Sequence, residues 1–440
     1  MNDNQSLSQL KEKEKKHFYI LANFLVARNW QADLSQKKFA ELLSEKTEDE
    51  VSASTAERRL NKFKDLGLIE VQTHGKGNIA STITLKCYTY QGPLMTGSVP
   101  PNNPLYIQRE EDDTCKKALI IAQNSDALPF IRIKGAQGMG KSSLLDKLAN
   151  FLATEQKQVV GHVNLASEVF DSQSFTDLDR LFYQFTEEIS QTFQQAVRGL
   201  NPPSLESFWK KSRAPGKNCT DYLHKHIFEK IKKTKTLLID GIDQILGQPT
   251  QTDFLLVLRS WNERKMKVVS KAPIVWPSMV IAYSTEPYPD HKFKGSPMQN
   301  VGMAVELQEF SPAAILALAK IYGLNWTEEE VNALMKLIGG HPTLIHRAFY
   351  QLSKEGKSLV ELEQQAVQST GVFGDYLLKK FELLQKDEQL LACFQKILKG
   401  EHCSEVFAKF QLEKAGLIKS DHQGERVRCE LYQRYFKCNL

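Results

Sequence analysis

Residues 130–148 read Phe-Ile-Arg-Ile-Lys-Gly-Ala-Gln-Gly-Met-Gly-Lys-Ser-Ser-Leu-Leu-Asp-Lys-Leu. A short run rich in isoleucine leads into a glycine-rich turn, and an amphipathic pattern follows it, so we expect a strand that feeds directly into a helix. The turn has the complete spacing Gly-x-x-x-x-Gly-Lys-Ser of a phosphate-binding loop, or P-loop. The stretch therefore predicts nucleotide binding, although a glycine-rich turn that binds nothing could have the same letters.

Each residue type in the loop suits a phosphate ligand. The glycines let successive backbone N–H groups converge on phosphate oxygens, and Lys141 supplies a point charge to the β and γ phosphates. The hydroxyl of Ser142 is a ligand for Mg2+. The predicted nucleotide contacts within the loop are Gly135, Gln137, Gly138, Met139, Gly140, Lys141, Ser142 and Ser143.

Length and composition bound what surrounds this loop. A chain of 440 residues predicts roughly three compact units, and 41% hydrophobic with 25% charged residues is typical of a soluble globular protein. We find no apolar run long enough to cross a bilayer and no apolar signal region at the N-terminus, so we expect a cytoplasmic protein without a membrane partner. The seven cysteines are scattered and lack a Cys-x-x-Cys pair, which favours reduced thiols.

Residues 1–92 form a predicted unit of their own. A helical pattern runs from about residue 10 to 27, a second helix follows the N-cap candidate Ser35, and a third begins at Ser52 and is closed by Gly67. Two alternating segments around a His-Gly-Lys-Gly turn then read as a hairpin. Three helices and a hairpin resemble a winged helix-turn-helix.

In that family the third helix enters the major groove of DNA and the wing touches the backbone. The resemblance implies that Arg58, Arg59, Lys62 and Lys76 face double-stranded DNA. The alternative is a winged helix that docks a protein, because the unit also contains many acids.

A buried hydrophobic strand ending in Asp240 follows about 100 residues after the P-loop. A carboxylate at the carboxyl end of such a strand can reach a Mg2+-bound water, so Asp240 is the predicted second metal residue. AAA ATPases usually have Glu at the next position, where it is the base that orients water, but this chain has Gly241 there. Asp243 is the candidate substitute, and we expect hydrolysis to be slow or absent.

A further strand ends in Ser284 and Thr285. Hydroxyls at this point suit a sensor of the γ phosphate, and they are also ordinary turn chemistry. Downstream, Gly340-His341-Pro342 resembles the Gly-x-Pro motif of STAND NTPases, in which proline packs on the nucleotide. A glycine helix C-cap followed by proline at the start of the next helix would give the same letters.

The joint occurrence of these blocks from about Asn102 to Leu440 resembles the AAA-like ATPase domain family of the type common in cyanobacteria, similar to STAND and initiator-type AAA NTPases. Its blocks are "NNPLYIQRE", "IRIKGAQGMGKSSLL", "LLIDGID", "LRSWNER", "IAYSTEPY", "VGMAVELQEFS", "LIGGHPTLIHRAFY" and "RCELYQRYF". The resemblance implies that Tyr106 and Ile107 lie against adenine and that His341 and Pro342 contact the nucleotide. Gly241 departs from the family's usual Asp-Glu.

The fold class expected is therefore α/β, a P-loop NTPase core with a helical lid and a winged-helix domain at each end. We expect domains at 1–92, 105–310, 311–372 and 373–440, with a proline-rich linker at 93–104. The predicted function is a regulatory switch that binds DNA under the control of ATP or ADP with Mg2+, with nucleotide-dependent homo-oligomers. The alternative is a STAND-type signalling or antiphage defence switch whose first winged helix docks a protein.

Overall fold

The structure is a computed structural model, and its contacts divide the chain into two compact units. The first comprises residues 1–107, 311–332 and 346–358, and the second comprises 108–310, 333–345 and 359–440. The residues that the structure describes are 9–26, 31–47, 49–73, 81–86, 89–90, 92–123, 129–266, 275–284, 298, 300–421 and 424–440.

The described residues of the N-terminal part of the first unit form three helices and three strands. Its elements are α1 (Glu12–Val26), β1 (Gln31–Leu34), α2 (Gln36–Thr47), α3 (Ala53–Asp65), β2 (Ile69–Gln72) and β3 (Ser81–Leu85). The strands form one antiparallel sheet in the order β1-β3-β2. The helices and the hairpin strands lie where the sequence predicted them, whereas β1 was not predicted.

The third helix shows why these residues fold as they do. The side chain of Ser52 accepts a hydrogen bond from the backbone N–H of Thr55 and so caps α3. Ala56, Leu60 and Phe63 recur at helical spacing and are buried. The ring of Phe63 meets that of Phe18 on α1 edge to face at 5.3 Å, so this apolar stripe fastens the two helices together.

Helical residues later in the chain complete the first unit. They belong to α10 (Pro312–Ile321) and to parts of α11 (Glu328–Ile338) and α12 (Pro342–Glu355). Tyr322 is fully buried beside them, and its ring meets that of Tyr90 at 5.7 Å.

A five-stranded parallel sheet forms the centre of the second unit. Its strands are β4 (Phe130–Lys134), β5 (Val159–Asn164), β6 (Lys235–Asp240), β7 (Ser278–Tyr283) and β8 (Met303–Glu306). They lie in the order β5-β6-β7-β4-β8, and all neighbouring pairs are parallel. The predicted α/β class with a P-loop core is confirmed, and all four strands predicted for the core are present.

Helices cover both faces of this sheet, which explains why its strands are almost continuously hydrophobic. Leu237 and Ile239 of β6 face one buried cluster, while Leu238 between them faces the other. The helices of this part are α4 (Glu110–Gln123), α5 (Lys141–Thr154), α6 (Leu178–Ala196), α7 (Leu205–Phe208), α8 (Pro215–Tyr222) and α9 (Gln251–Met266). Residues 200–218, which follow α6, contain α7 and the start of α8.

The C-terminal part of the second unit contains five helices and a two-stranded antiparallel sheet. Its elements are α13 (Leu359–Gln365), α14 (Gly374–Gln385), α15 (Glu388–Leu398), α16 (Val406–Lys414), β9 (Ile418–Asp421), β10 (Gly424–Val427) and α17 (Glu430–Asn439).

One prediction about the cysteines was wrong. Cys393 on α15 and Cys403, ten positions later, form a disulfide with a Cα–Cα distance of 5.4 Å. The turn after α15 brings these two buried side chains together, which scattered spacing along the sequence does not reveal. Cys115, Cys219, Cys429 and Cys438 are free thiols.

Among the described residues, no helix combines the length and the apolar character needed to span a membrane.

Candidate functional site

The candidate site lies at the carboxyl edge of the parallel sheet, where the chain leaves β4, β6 and β7. The P-loop connects β4 to α5, and Gly138 and Gly140 have φ angles of 83° and 90°, which favour glycine. Gly140 caps α5 without a side-chain hydrogen bond, so the first N–H groups of the helix face the loop. This is the backbone geometry that phosphate oxygens require.

The predicted phosphate-binding lysine points into the loop. Lys141 Nζ donates to the carbonyl oxygens of Gly135 and Ala136, at 2.7 and 3.3 Å, and to Ser284 Oγ at 3.1 Å. Burial lowers the pKa of Lys141, and the negative charges of Asp243 and Asp240 oppose that shift. The loop, β6 and β7 thus converge on one ammonium group.

The acidic candidates take two different positions. Asp240 ends β6 and is buried, and its Oδ1 accepts a hydrogen bond from the N–H of Gly241 at 2.8 Å. Asp243 accepts from both the N–H and the hydroxyl of Ser284, at 2.7 and 2.8 Å, and its Oδ2 lies 3.9 Å from Lys141 Nζ. Asp243 therefore ties the end of β7 to the loop after β6.

The position after Asp240 accepts only glycine without strain. Gly241 has a φ of 72°, and a Cβ atom there would lie 2.8 Å from Asn164 Oδ1 and from the backbone nitrogen of Ala166. A glutamate cannot take the usual place of a water-orienting base without distorting this turn. Asn164, which ends β5 beside Asp240, is a polar neighbour of the site that the sequence did not indicate.

The start of α12 packs directly on the P-loop. His341 Nε2 lies 3.1 Å from the carbonyl oxygen of Gln137, and Thr343 Oγ1 donates to that of Gly138 at 3.0 Å. A Cβ atom on Gly138 would come within 2.6 Å of the His341 ring, which explains the glycine. Pro342 is the first residue of α12 and is buried. The structure thus brings this predicted motif to the loop.

Burial keeps the His341 imidazole neutral. Its side chain is fully buried, and desolvation, followed by the charge of Arg428, lowers its pKa to about 3. A neutral ring donates one proton, here to the Gln137 carbonyl oxygen, and leaves Nδ1 without a partner in the described structure.

Two lysines from the C-terminal part also contact the P-loop segment, and the sequence did not single them out. Lys380 Nζ donates to Gln137 Oε1 at 2.7 Å and to the carbonyl oxygen of Ala415 at 2.5 Å. The carbonyl oxygen of Lys414 accepts from Gln137 N–H, and Lys414 Nζ donates to the carbonyl oxygen of Asp243. Gln137 is therefore contacted from α12, α14 and α16.

A signal for Lys380 did exist in the sequence. Leu377, Lys380 and Leu384 follow helical spacing, and all three are buried on α14. A cation in an otherwise apolar stripe is unusual, but its partner lies 243 positions away and could not be identified from the pattern.

Charged contacts hold the other side of the loop. Arg109 Nη1 donates to the carbonyl oxygens of Met139 and Gln308, at 3.0 and 3.3 Å. Glu309 accepts from Arg428 Nη1 at 3.0 Å and from Gly340 N–H at 3.2 Å. The Arg428 side chain is only 9% exposed and is thus an internal ion-pair partner.

The candidate DNA-binding helix α3 presents its cations unequally. Arg59 and Lys62 both bind the carboxylate of Glu14 on α1, and the side chains of Arg59 and Glu14 are only 12% and 8% exposed. Burial opposes ionisation of Glu14, but the hydrogen bond from Lys62 and the other contacts lower its pKa to about 2. Arg58 is exposed and lines a shallow groove together with Asn61 and Lys62.

Four further residues were predicted to belong to the nucleotide site or to the DNA-binding surface. Thr285 and Lys76 fall outside the described residues. Tyr106 and Ile107 are half-buried at the end of the first unit, and their contact with adenine stays a prediction.

Metal ligation in the described part of the chain has no dedicated cage. The described residues contain no group of three or more His, Cys, Asp or Glu that could hold a metal ion. One carboxylate and one hydroxyl, Asp240 and Ser142, fit the few protein ligands that Mg2+ needs when phosphate oxygens and water complete its shell.

The chain is similar to known proteins both in sequence and in fold. A model of the AAA-like domain family matches residues 94–438. No curated protein matches the chain. Solved structures that are similar include the Walker-type ATPase paby2304 of Pyrococcus abyssi, with 14% identity, a TM-score of 0.47 and coverage of 76% of this chain and 96% of that chain.

Two other solved structures are also similar. The ORC2 protein of Aeropyrum pernix in its ADP form has 11% identity and a TM-score of 0.42, with 80% of this chain and 97% of that chain covered. Cdc6p from Pyrobaculum aerophilum has 13% identity and a TM-score of 0.40, with 76% and 97% covered.

Proposed function

Because the chain belongs to the AAA-like domain family, we propose that it is a regulatory switch that binds DNA under the control of a bound nucleotide. The observation that carries this proposal is the set of contacts on the P-loop. Three elements from beyond the sheet reach one loop residue, Gln137, through His341, Lys380 and Lys414.

The proposed ligand is Mg2+ with ATP or ADP. Backbone N–H groups of the loop and Lys141 would hold the phosphates, and Ser142 and Asp240 would hold the metal. The metal supplies charge neutralisation of the phosphates when bound. His341 and Pro342, together with Tyr106 and Ile107, are proposed to contact the nucleotide.

Hydrolysis is proposed to be slow. Asp243 is committed to two hydrogen bonds from Ser284, and Gly241 offers no carboxylate. A base that orients water must point at that water, and these two hydrogen bonds hold the Asp243 carboxylate against Ser284, so this arrangement favours binding over turnover. A long-lived ATP state suits a switch, because a ligand shifts a conformational equilibrium only by its differential affinity for the two states.

The proposed DNA-binding element is the N-terminal part of the first unit, read as a winged helix. Its element order and its capped α3 support this reading, and Arg58 is the exposed cation of that helix. Lys62 can contribute if it exchanges Glu14 for phosphate. The competing function is a switch in which the same helix docks a protein, and the acids Glu57 and Asp65 beside Arg58 favour that alternative.

The nucleotide part is tested by calorimetry on Lys141→Ala. Removing an ammonium that compensates phosphate charge should weaken Mg-ATP and Mg-ADP binding by at least about 10-fold, the cost of a charged hydrogen bond. Lys117→Ala, an exposed lysine on α4, is the matched control and should bind like the wild type. Unchanged ATP affinity in Lys141→Ala would remove the central assignment.

The DNA part is tested by electrophoretic mobility on duplex genomic fragments, with ATP, with ADP and with neither. We expect retardation that depends on the nucleotide and that weakens in Arg58→Gln. Absence of retardation in all three states, at low salt, would favour the protein-docking function.

A further inference from the structure

A short segment of the second unit carries an unusual charge. Residues 209–233 contain eight lysines or arginines and two acids, which gives a formal net charge of +6 in 25 residues, whereas the whole chain carries +5. The rest of the chain is therefore close to neutral. A local excess of positive charge is typical of a surface that binds a polyanion. Solvated surface lysines can also cluster by chance, so the arrangement of the charges in the structure has to decide between the two.

The geometry gathers this charge on one structural feature. Helix α8 continues without a break into a π-helical turn, Leu223–Phe228, so 14 residues form a rod about 20 Å long at the helical rise. The side chain of Asn218 donates to the carbonyl oxygen of Lys210 at 2.8 Å, which holds the preceding turn beside this rod. The ring of Phe208 packs on that of His226 at 5.3 Å, which is a second contact between the preceding segment and the rod.

Most lysines of this segment have no carboxylate partner in the described part of the chain and so can bind an external anion. Of its two acids, Asp221 is paired with Arg213 and Lys217, and Glu229 Oε1 lies 3.4 Å from His224 Nδ1. Six exposed lysines have no carboxylate partner among the residues that the structure describes. These six are Lys210, Lys211, Lys225, Lys230, Lys232 and Lys233.

Two of these lysines, Lys225 and Lys230, lie close enough to one side chain to act on it together. His226, in the π-helical turn, has its pKa lowered by burial and then by the charges of Lys225 and Lys230. Cations before, within and after one helical rod can thus meet successive phosphates along a nucleic-acid backbone.

Two other polyanions fit this surface less well. A membrane-binding face carries large exposed apolar side chains beside its lysines, but those identified in the described residues, such as Ile121, Val360 and Phe407, all lie outside residues 209–233. Single-stranded nucleic acid is held by rings that stack on bases. Here the Trp209 ring packs on Tyr183 at 5.2 Å and its Nε1 donates to Asp179, so it is engaged internally.

We infer that these six lysines form a second DNA surface on the nucleotide-binding unit, which contacts the phosphates of duplex DNA without reading its sequence. This inference rests on the proposed function, since it assumes that the chain binds duplex DNA. Lysine is suited to the role because its ammonium is a flexible point charge that fits a phosphate without demanding one orientation. Two tethered contact surfaces also raise avidity beyond that of either alone.

The test compares two full-length variants with the same change in charge. In the first, the six lysines are replaced by glutamine. In the second, six exposed lysines elsewhere in the same unit are replaced, namely Lys336, Lys379, Lys386, Lys396, Lys399 and Lys437. Fluorescence anisotropy with a labelled duplex, in the presence of Mg-ATP and over a range of salt, gives the affinity and its salt slope.

The first variant should bind duplex at least about 10-fold more weakly than the wild type, and its salt slope should be smaller by about 2 or more, since each lost phosphate contact contributes about 0.9. The second variant should bind like the wild type. Unchanged ATP affinity in both variants shows that they are folded.

Other outcomes separate the two claims. If the wild type binds duplex and the two variants lose affinity equally, the surface is not specific and the inference is wrong, while the proposed function stands. If the first variant loses affinity only for single-stranded DNA or for vesicles of anionic phospholipid, the assigned partner is wrong. If the wild type binds no duplex in any nucleotide state, both claims fail.

Discussion

Lys380 is a buried cation, and no buried anion lies beside it among the residues that the structure describes. Its side chain is 4% exposed, and its hydrogen-bond acceptors are an amide oxygen and a backbone carbonyl. Burial, followed by the charges of Arg428 and Lys141, lowers its pKa to about 8. Burying a charge without an opposite charge is costly, so an anion bound at the neighbouring P-loop would relieve this cost.

Lys380→Met should therefore weaken ATP binding. The variant removes an attraction from the bound state and an uncompensated charge from the free state, and both changes disfavour binding. We expect a loss of about 3- to 10-fold that is larger for ATP than for ADP, measured by calorimetry at low salt.

Lys379→Met, an exposed neighbour on the same helix, is the control and should leave the affinity unchanged. Equal ATP affinity in Lys380→Met and the wild type would mean that Lys380 only supports Gln137 and does not sense the phosphate charge.

The neutral state of His341 predicts a loss of stability in acid. An unfolded histidine takes up a proton below about pH 6.5, whereas the folded ring resists it down to a pKa of about 3. The unfolded state thus binds more protons between these values. The stability that depends on His341 is present above pH 6.5 and is lost as the pH falls from 6.5 towards 3.

His341→Gln should flatten this dependence by about 1 kcal/mol per pH unit, as urea unfolding at several pH values would show. The variant should be less stable than the wild type at pH 7. As the pH falls further, its free energy of unfolding should decrease less than that of the wild type. A pH profile parallel to that of the wild type would show that His341 does not titrate in the unfolding transition.

Among the elements that form the site, the turn after β6 determines what the site can do. Its backbone runs through Gly241 with a positive φ, close to the turn after β5. A side chain at position 241 would press against backbone nitrogen atoms of the turn after β5, and these atoms cannot move independently of the sheet. The absence of the usual base is therefore built into the backbone and is not a simple replacement of one side chain.

Gly241→Ala tests this geometry. We expect a loss of about 1 to 3 kcal/mol in the free energy of unfolding, since the variant combines a strained φ with a 2.8 Å contact to the backbone. Gly400→Ala, in the same unit, has a φ of 81° and no neighbour within 4 Å, so it measures the strain alone. A loss no greater than that of Gly400→Ala would contradict the contact argument.

The elements of the core could be predicted from the sequence because each has a local signal. Strand β4 and helix α5 follow from an apolar run and a glycine-rich turn, and the core strands β6 and β7 follow from continuous hydrophobic residues. Strand β1 has only four residues, of which one, Leu34, is buried, so it carries too little pattern to be recognised.

The contacts of the site were less predictable for a physical reason. Lys380 and Lys414 reach the P-loop segment over more than 200 positions, and only the folded chain brings them there. Arg59 shows the converse. Its position on the polar side of α3 predicted a DNA contact, but Glu14 on another helix binds it.

In the whole molecule, the proposed switch requires coupling between nucleotide binding and DNA binding. The P-loop and the residues that contact it through Gln137, namely His341, Lys380 and Lys414, lie in the second unit, and the proposed DNA-binding helix lies in the first. If the nucleotide state changes DNA affinity, the two ligands must be linked thermodynamically. Linkage is reciprocal, so DNA must change the affinity for ATP by the same factor.

The most direct test is the dissociation constant of Mg-ATP for the full-length protein, measured by calorimetry with and without saturating duplex DNA. The account predicts a difference of about 5- to 150-fold, the usual range of such coupling, equal to the factor by which ATP changes DNA affinity. An ATP dissociation constant that is the same with and without bound DNA would contradict it.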